Sequence, residues 1–326
     1  MRKLSVIIFC LLSLTASAVK KHVRTDGSNA NNGLTNSSGG AFLTVAYGVT
    51  QCTSGDTLWV HAGTYLETTQ IFLPVGVHLF GDGVTSVIQS THPWSYQAAL
   101  ALESGTVGTN GNQSVSYLKF DGRSETTPRG IAVQGRSNVS IHHCTIVDFK
   151  EEGVVFNGEV SFTGFPPSVY ATGNTFHDNI VTNCSEYAGF GTGCLGFGGQ
   201  QDFLIYNNTI SQPQRTAPKQ IGWPIKYYNE GWSKGTKIYN NTIYKAPFNG
   251  EGWNFSMELF NNYEMEIYNN TIQGSLDFNY QDTIAGYNAY SVYIHNNTIT
   301  YPSYNTFTES AVIIEYGFHS FWIEDN

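Results

Sequence analysis

The chain has 326 residues, a formal net charge of −9, only 13% charged residues, 34 glycines and 14% aromatics. This balance excludes the basic footprint of a nucleic-acid binder, and this much glycine and aromatic content excludes a mainly helical protein. It fits a β-rich extracellular protein with many turns and an aromatic-studded surface.

Residues 1–18 read as a signal peptide. Arg2 and Lys3 give a basic start, Val6 to Leu14 a short apolar run, and Ala16-Ser17-Ala18 a small-residue cleavage site. The run is too short to cross a bilayer and no later run approaches 18 apolar residues, so no transmembrane segment is expected. A lipoprotein anchor at Cys10 is the alternative, although Phe9 before it is bulky. The expectation is a bacterial protein that is secreted, periplasmic or held at the cell surface. Its mature chain, residues 19–326, reads as one monomeric domain.

Four cysteines remain after the leader: Cys52, Cys144, Cys184 and Cys194. An oxidising compartment permits bridges. Cys184 and Cys194 either close a Gly-rich loop or stay free, and Cys144, set in a strand pattern, reads as a small buried residue. None of the spacings resembles a zinc site. His142 and His143 also lie in a strand pattern, where alternation sends neighbours to opposite faces and so keeps them from sharing a metal. Gly196-Phe197-Gly198-Gly199 opens no helix and is not a phosphate loop. It reads as an open floor beside Lys226 or as a tight bend.

One phrase recurs along the second half. It runs Ile205-Tyr206-Asn207-Asn208-Thr209-Ile210, then returns at Ile238 to Ile243, Ile267 to Ile272 and Ile294 to Ile299, and starts again at Ile323. The second Asn falls at 208, 241, 270, 297 and 326, with gaps of 33, 29, 27 and 29 residues. Weaker copies are read at Ile141 to Ile146 and Tyr170 to Phe176. Periods of this length mean a solenoid, propeller or array. Each repeat holds short alternating apolar stretches with no helical pattern, so a stacked β-coil is preferred. Its isoleucines then stack at about 4.8 Å per rung. The second Asn sits at a bend, where stacked amides can hydrogen-bond along the ladder. Asn-Asn-Thr is also a glycosylation sequon, but the ladder accounts for it structurally.

Asp26-Gly27-Ser28-Asn29, Asn32-Gly33-Leu34-Thr35 and Gly55 to Tyr65 resemble the opening of secreted right-handed parallel β-helix proteins of the pectate-lyase-like superfamily. The resemblance covers residues 22 to 90 and the repeats from 139 onward. It implies an all-β, single-stranded right-handed parallel β-helix, with Phe42 to Cys52 as a short amphipathic helix capping the first coil. A cap hides unpaired strand edges. The phrase breaks off at Asn326, which reads as a fragment with further rungs or a sorting domain beyond.

A second strand precedes each Asn phrase: Cys194 to Phe197, Pro224 to Tyr228, Ser256 to Phe260, Leu276 to Asn279, Ile313 to Tyr316. Alternation turns Leu195, Ile225, Met257, Leu276 and Ile314 inward and aligns Gly196, Lys226, Glu258, Asp277 and Glu315 outward. Tyr228, Phe260 and Asn279 form a second outward column. From Arg215 to Lys245 there are six basic residues and one acid, whereas from Ala246 onward there are ten acids and no Lys or Arg. Trp223, Trp232 and Trp253 flank that junction. Aromatic faces stack on sugars and cations neutralise uronates, so the junction is the candidate cleft. A plain cross-strand salt bridge on a solvated face is the competing account.

Three functions follow, with a polysaccharide lyase as the leading reading and the other two as alternatives. In a polysaccharide lyase acting by β-elimination on a uronate glycan, Lys226 is the base and Tyr228 the acid. Lys234 and Lys237 then offset substrate charge, and Glu258 and Asp277 hold Ca2+. Trp223, Trp232, Trp253 and Phe260 line the sugar path. In a glycoside hydrolase, Glu258 and Asp277 are the carboxylate pair, with Glu315, Asp282 and Glu251 as further candidates. In a non-catalytic surface or adhesin module, the aromatic face binds glycan. No match to a particular lyase motif is present.

Overall fold

Strands of three to eight residues dominate the described chain, some with alternating burial and others buried throughout, and all the long sheets they form are parallel. The protein is seen in a computed structural model that describes residues 17–91, 97–124, 126–159, 166–187, 192–213, 220–227, 232–246, 255–278, 291–300, 311–314 and 320–326. Sheet 1 has eleven strands, from Lys20–Val23 to Ser320–Glu324. Sheet 2 has nine, from Gly63–Glu67 to Thr298–Thr300, and sheet 3 has nine, from Ile71–Phe72 to Val312–Ile314. A four-stranded side sheet joins sheets 3 and 1 in the middle coils. One coil runs Trp223–Tyr227 in sheet 3, Ser233–Lys234 in the side sheet, Lys237–Tyr239 in sheet 1 and Thr242–Lys245 in sheet 2. Phe255–Leu259 then starts the next coil in sheet 3.

Like residues stack on like residues inside this coil. Leu58, Leu79, Val115, Ile141, Phe176, Ile205, Ile238, Ile267 and Ile294 stand in direct register down sheet 1, all fully buried. Burial of one such side chain is worth about 1.5–3 kcal/mol, so the column is a major apolar spine of the fold. The expected cap is present as the helix Val45–Thr50. Val45 and Val49 are buried, and the Glu67 carboxylate accepts the free N–H groups of Val45 and Ala46 at 2.7 and 3.2 Å. Cys52, Cys144, Cys184 and Cys194 are buried free thiols. Cys184 and Cys194 lie side by side without a bridge, and burial, then the neighbouring thiol, pushes Cys184 well above the usual thiol range.

The repeated phrase makes the bend from sheet 1 to sheet 2. The backbone N–H of Asn208 donates to Oδ1 of Asn241 at 2.9 Å, and its Nδ2 donates to the same oxygen at 3.0 Å. The same pair of bonds links Asn179 to Asn208, Asn241 to Asn270, Asn270 to Asn297 and Asn297 to Asn326. Nδ2 also reaches back, from Asn241 to the Ile205 carbonyl at 3.0 Å. Each amide therefore ties its own coil to both neighbours. The first Asn has a different job. Asn207, Asn240, Asn269 and Asn296 have φ of 53 to 56°, a left-handed conformation that Asn tolerates better than most residues.

One repeat boundary moves. The copy upstream of Ile205 is Phe176 to Val181, with Phe176 on Ile205, His177 on Tyr206 and Asn179 in the ladder. The span Tyr170 to Phe176 instead holds the side-sheet strand and the corner before it. Ile141 to Ile146 does hold a copy, in which the Cys144 N–H donates to Asn179 Oδ1 at 2.9 Å.

The ladder predicts an asymmetry within the Asn pair. Asn241→Leu strands two buried donors of Asn208 and is expected to cost about 2–4 kcal/mol in urea unfolding. Asn240→Gly, which adopts positive φ freely, is expected to shift stability by less than about 1 kcal/mol.

Candidate functional site

Sheet 3 carries the charged column. Ile225, Met257 and Leu276 are paired inward and fully buried. Alternation then turns Lys226, Glu258 and Asp277 outward, each in direct register with the next. A register shift between Phe255 and Met257 is what brings Asp277 onto Glu258. The positions upstream in the same column are Ala101, Ala132, Val155 and Gly196. Gly196 is the floor beside Lys226: a Cβ there would meet ordinary contacts, the nearest at 3.5 Å, whereas Gly199, at φ +64°, makes the turn. The next position downstream is Ile313, not Glu315, because Leu276 pairs with Val312 and Phe278 with Ile314. The expected inward place of Ile314 beside Leu276 is therefore taken by Val312.

This column is not an exposed face. Glu258 is 3% and Asp277 0% exposed. The Lys226 Nζ makes an ion pair with Glu258 Oε2, and the two side chains are 14% and 4% exposed. That burial separates it from the surface salt bridges that contribute little. Lys226 also lies 3.9 Å from the Trp223 ring centroid, and the buried Lys245 approaches the same ring at 5.2 Å. A second buried ion pair, Arg129 Nε to Glu152 Oε2 at 2.6 Å, adjoins the Gly196 floor, where Glu152 Cγ lies 3.6 Å from the Cβ position. Composition along the chain counted Lys245 in the basic segment but gave it no place in the site, and did not point to Arg129. Lys245 ends a sheet 2 strand and reaches the site only because the coil closes on itself.

Connection lengths single out the same face. Among the described residues, the bend from sheet 1 to sheet 2 is two residues in seven successive coils, as at Asn207-Asn208 between Tyr206 and Thr209. The described strands flanking sheet 3 are further apart in sequence, with Lys245 followed by Phe255, Phe278 by Ser291 and Thr300 by Val312. In stacked repeats, insertions gather on one face, often the binding face.

Several expected residues lie elsewhere. Lys234 sits in the side sheet, 3.6 Å from Glu264, and Lys237 on the outer face of sheet 1, 2.7 Å from Glu266. Neither faces Lys226, because the corner between sheets turns them away. Trp232 packs with Tyr263 and Tyr170 in a separate buried cluster. Phe260 follows the sheet 3 strand and is half-buried. Tyr228, Trp253, Asn279, Glu251, Asp282, Glu315 and Arg215 lie outside the described residues. Calcium takes six to eight oxygen ligands. The described column offers two carboxylates, one already held by an ammonium, and does not build such a cage.

Sheet 1 has its own outer face. Rings of His142, His177, Tyr206, Tyr239, Tyr268 and His295 stack in sequence at centroid distances of 4.7 to 5.2 Å, within 8° of parallel. Their faces are spent on one another, so the stack presents mainly ring edges to solvent. His142 and His143 share this face, with Nδ1 atoms 2.9 Å apart, instead of pointing to opposite sides. The φ of +54° at His143 breaks the strand alternation. Burial, then His177 and His143, pushes His142 down to about 4. Near the first coils, His22 Nδ1, His61 and Asp82 form a chain at 2.9 and 3.1 Å beside a pocket of about 370 Å³.

No protein-family model matches the sequence, and no curated protein matches it. Solved structures do. The pectin methylesterase from carrot covers 92% of this chain and 90% of its own at a TM-score of 0.50 and 14% identity. A pectin methylesterase in complex with a hexasaccharide covers 91% and 94% at 0.53 and 11%. The enzymatically active domain of bacteriophage CBA120 tailspike protein 2 covers 88% of this chain and 43% of that one at 0.50 and 13%. At such identities the likeness is one of fold. The chain is a right-handed parallel β-helix, the fold it shares with these structures.

The buried ion pair predicts strong coupling. Lys226→Met leaves Glu258 buried without its countercharge and is expected to cost about 3–5 kcal/mol, whereas adding Glu258→Leu, itself a single variant of the cycle, recovers much of the loss. Urea unfolding of the four proteins in the cycle measures it.

Proposed function

We propose that the protein is a polysaccharide-active enzyme working outside the cytoplasm, with Glu258 and Asp277 as the reacting carboxylates of a glycoside hydrolase. The observation that carries this reading is their direct register on neighbouring coils, both outward on the strand and both buried. Strands stack at about 4.8 Å, close to the roughly 5–5.5 Å carboxyl separation of retaining glycosidases. Glu258, beside the Lys226 ammonium, is the nucleophile at the anomeric carbon. Asp277 protonates the leaving oxygen and then takes a proton from the water that releases the sugar. The buried Trp223 ring, with the Lys226 and Lys245 ammonium groups against it, helps hold that positive charge beside Glu258. The neighbours of similar fold include a pectin methylesterase in complex with a hexasaccharide, which supports a glycan as the substrate class.

A β-elimination lyase is the second reading, with Lys226 as base and a uronate glycan as substrate. It is favoured by the convergence of two ammonium groups, Lys226 and Lys245, on Trp223. The reactions differ in product. Hydrolysis yields new reducing ends alone, whereas elimination also creates a C=C bond that absorbs in the ultraviolet.

Incubation with pectate, alginate, glycosaminoglycan and neutral glycan panels decides between them. The expected result is new reducing ends without absorbance, falling about 100-fold or more in Glu258→Gln and in Asp277→Asn, with thermal melts confirming that each variant is folded. Rising absorbance that Lys226→Ala abolishes would move the protein to the lyases. Silence in both readouts, with retained glycan binding, would make it a non-catalytic binding module.

A further inference from the structure

The corner between sheets 1 and 2 gathers metal-binding side chains in one place. His142 and His177 are register partners whose rings stack at 4.9 Å. The next residue on each coil, His143 and Asp178, has φ of +54° and +55°. That left-handed step folds each back beside the strand residue before it. Four side chains of two coils therefore meet on one outer face.

The ligand atoms of His143, His177 and Asp178 all lie within 4.8 Å of one another. Asp178 Oδ2 is 2.7 Å from His177 Nδ1, and His142 Nδ1 is 2.9 Å from His143 Nδ1. The surroundings hold the donors in place. Tyr117 stacks on the His143 ring at 4.7 Å, and the Asn207 side chain hydrogen-bonds the Asp178 carboxylate. Such outer contacts orient metal ligands. Neighbouring coils lack the combination, since Tyr206-Asn207 and Tyr239-Asn240 occupy the same two positions.

We propose that His143, His177 and Asp178 form a binding site for a divalent transition metal, with zinc as its representative ion. Two imidazoles and one carboxylate suit zinc, nickel or copper, whereas calcium and magnesium prefer oxygen ligands throughout. Zinc bonds of about 2.0–2.2 Å need only small side-chain torsions from the present spacing. Three protein ligands leave a fourth position for water. The ion bridges adjacent coils, joining His143 to residues 34 and 35 positions further on (177 − 143 and 178 − 143). It lies on the sheet 1 face, apart from the sheet 3 column, and does not depend on the activity proposed there.

The test uses the full chain in metal-free buffer, with Zn2+ added in isothermal titration calorimetry and thermal melts. One zinc per chain and a raised Tm are expected. His143→Asn and Asp178→Asn place at the bend the residue that other coils carry there, so both variants keep the fold. Each is expected to weaken zinc at least about 100-fold and to remove the Tm shift. His177→Phe keeps the ring stack and loses the metal. His78→Gln, on the same sheet, binds as the parent does. No zinc binding by the parent, or binding that persists in the His143→Asn and Asp178→Asn double variant, overturns the site.

Discussion

Everything in this fold depends on one bend closing the same way in coil after coil. The bend must turn the chain between sheets 1 and 2 in two residues and leave no buried N–H unpaired. The paired asparagines divide that task. The first takes the left-handed backbone that turns the corner, and the second satisfies the N–H of its neighbour through a side-chain oxygen. Because the acceptor sits on the next coil, the bond also sets the stacking register. The isoleucine spine of sheet 1 and the aromatic stack outside it follow from that register, since each pairs a residue with its equivalent one coil away.

A tightly held corner leaves variation to the other side of the coil. Sheet 3 is flanked by the widest sequence separations between described strands in the later coils, and its column changes from small apolar residues to Lys226, Glu258 and Asp277 over three coils. Charges placed there are withdrawn from water and held together by the sheet. An ammonium, two carboxylates and a tryptophan ring meet there in one buried place, an arrangement that the rigid corner supports but does not itself supply.

The same bend explains the histidine corner. Its left-handed step brings two consecutive side chains onto one face, which a regular strand never does. Where the bend carries Asn, the result is a plain ladder edge. Where it carries His143 and Asp178 beside His142 and His177, the result is a cluster of nitrogen and oxygen donors. Strand alternation alone puts His142 and His143 on opposite faces, and one positive φ is enough to reverse that.

The sequence by itself determined the parallel coil, the amide ladder and the alignment of Lys226 with Glu258, because these depend on short-range patterns repeated at a nearly constant period, whereas the capping helix came only from the family resemblance. Alternation names a face, and repetition names the neighbour. Tertiary structure alone decided the burial of the column, the arrival of Lys245 at Trp223, the removal of Lys234, Lys237 and Trp232 to other surfaces, and the placing of Ile313 after Asp277. Those outcomes depend on how far each connection reaches and where each corner turns. Such quantities are set by the three-dimensional closure of the coil and leave no periodic trace in the chain.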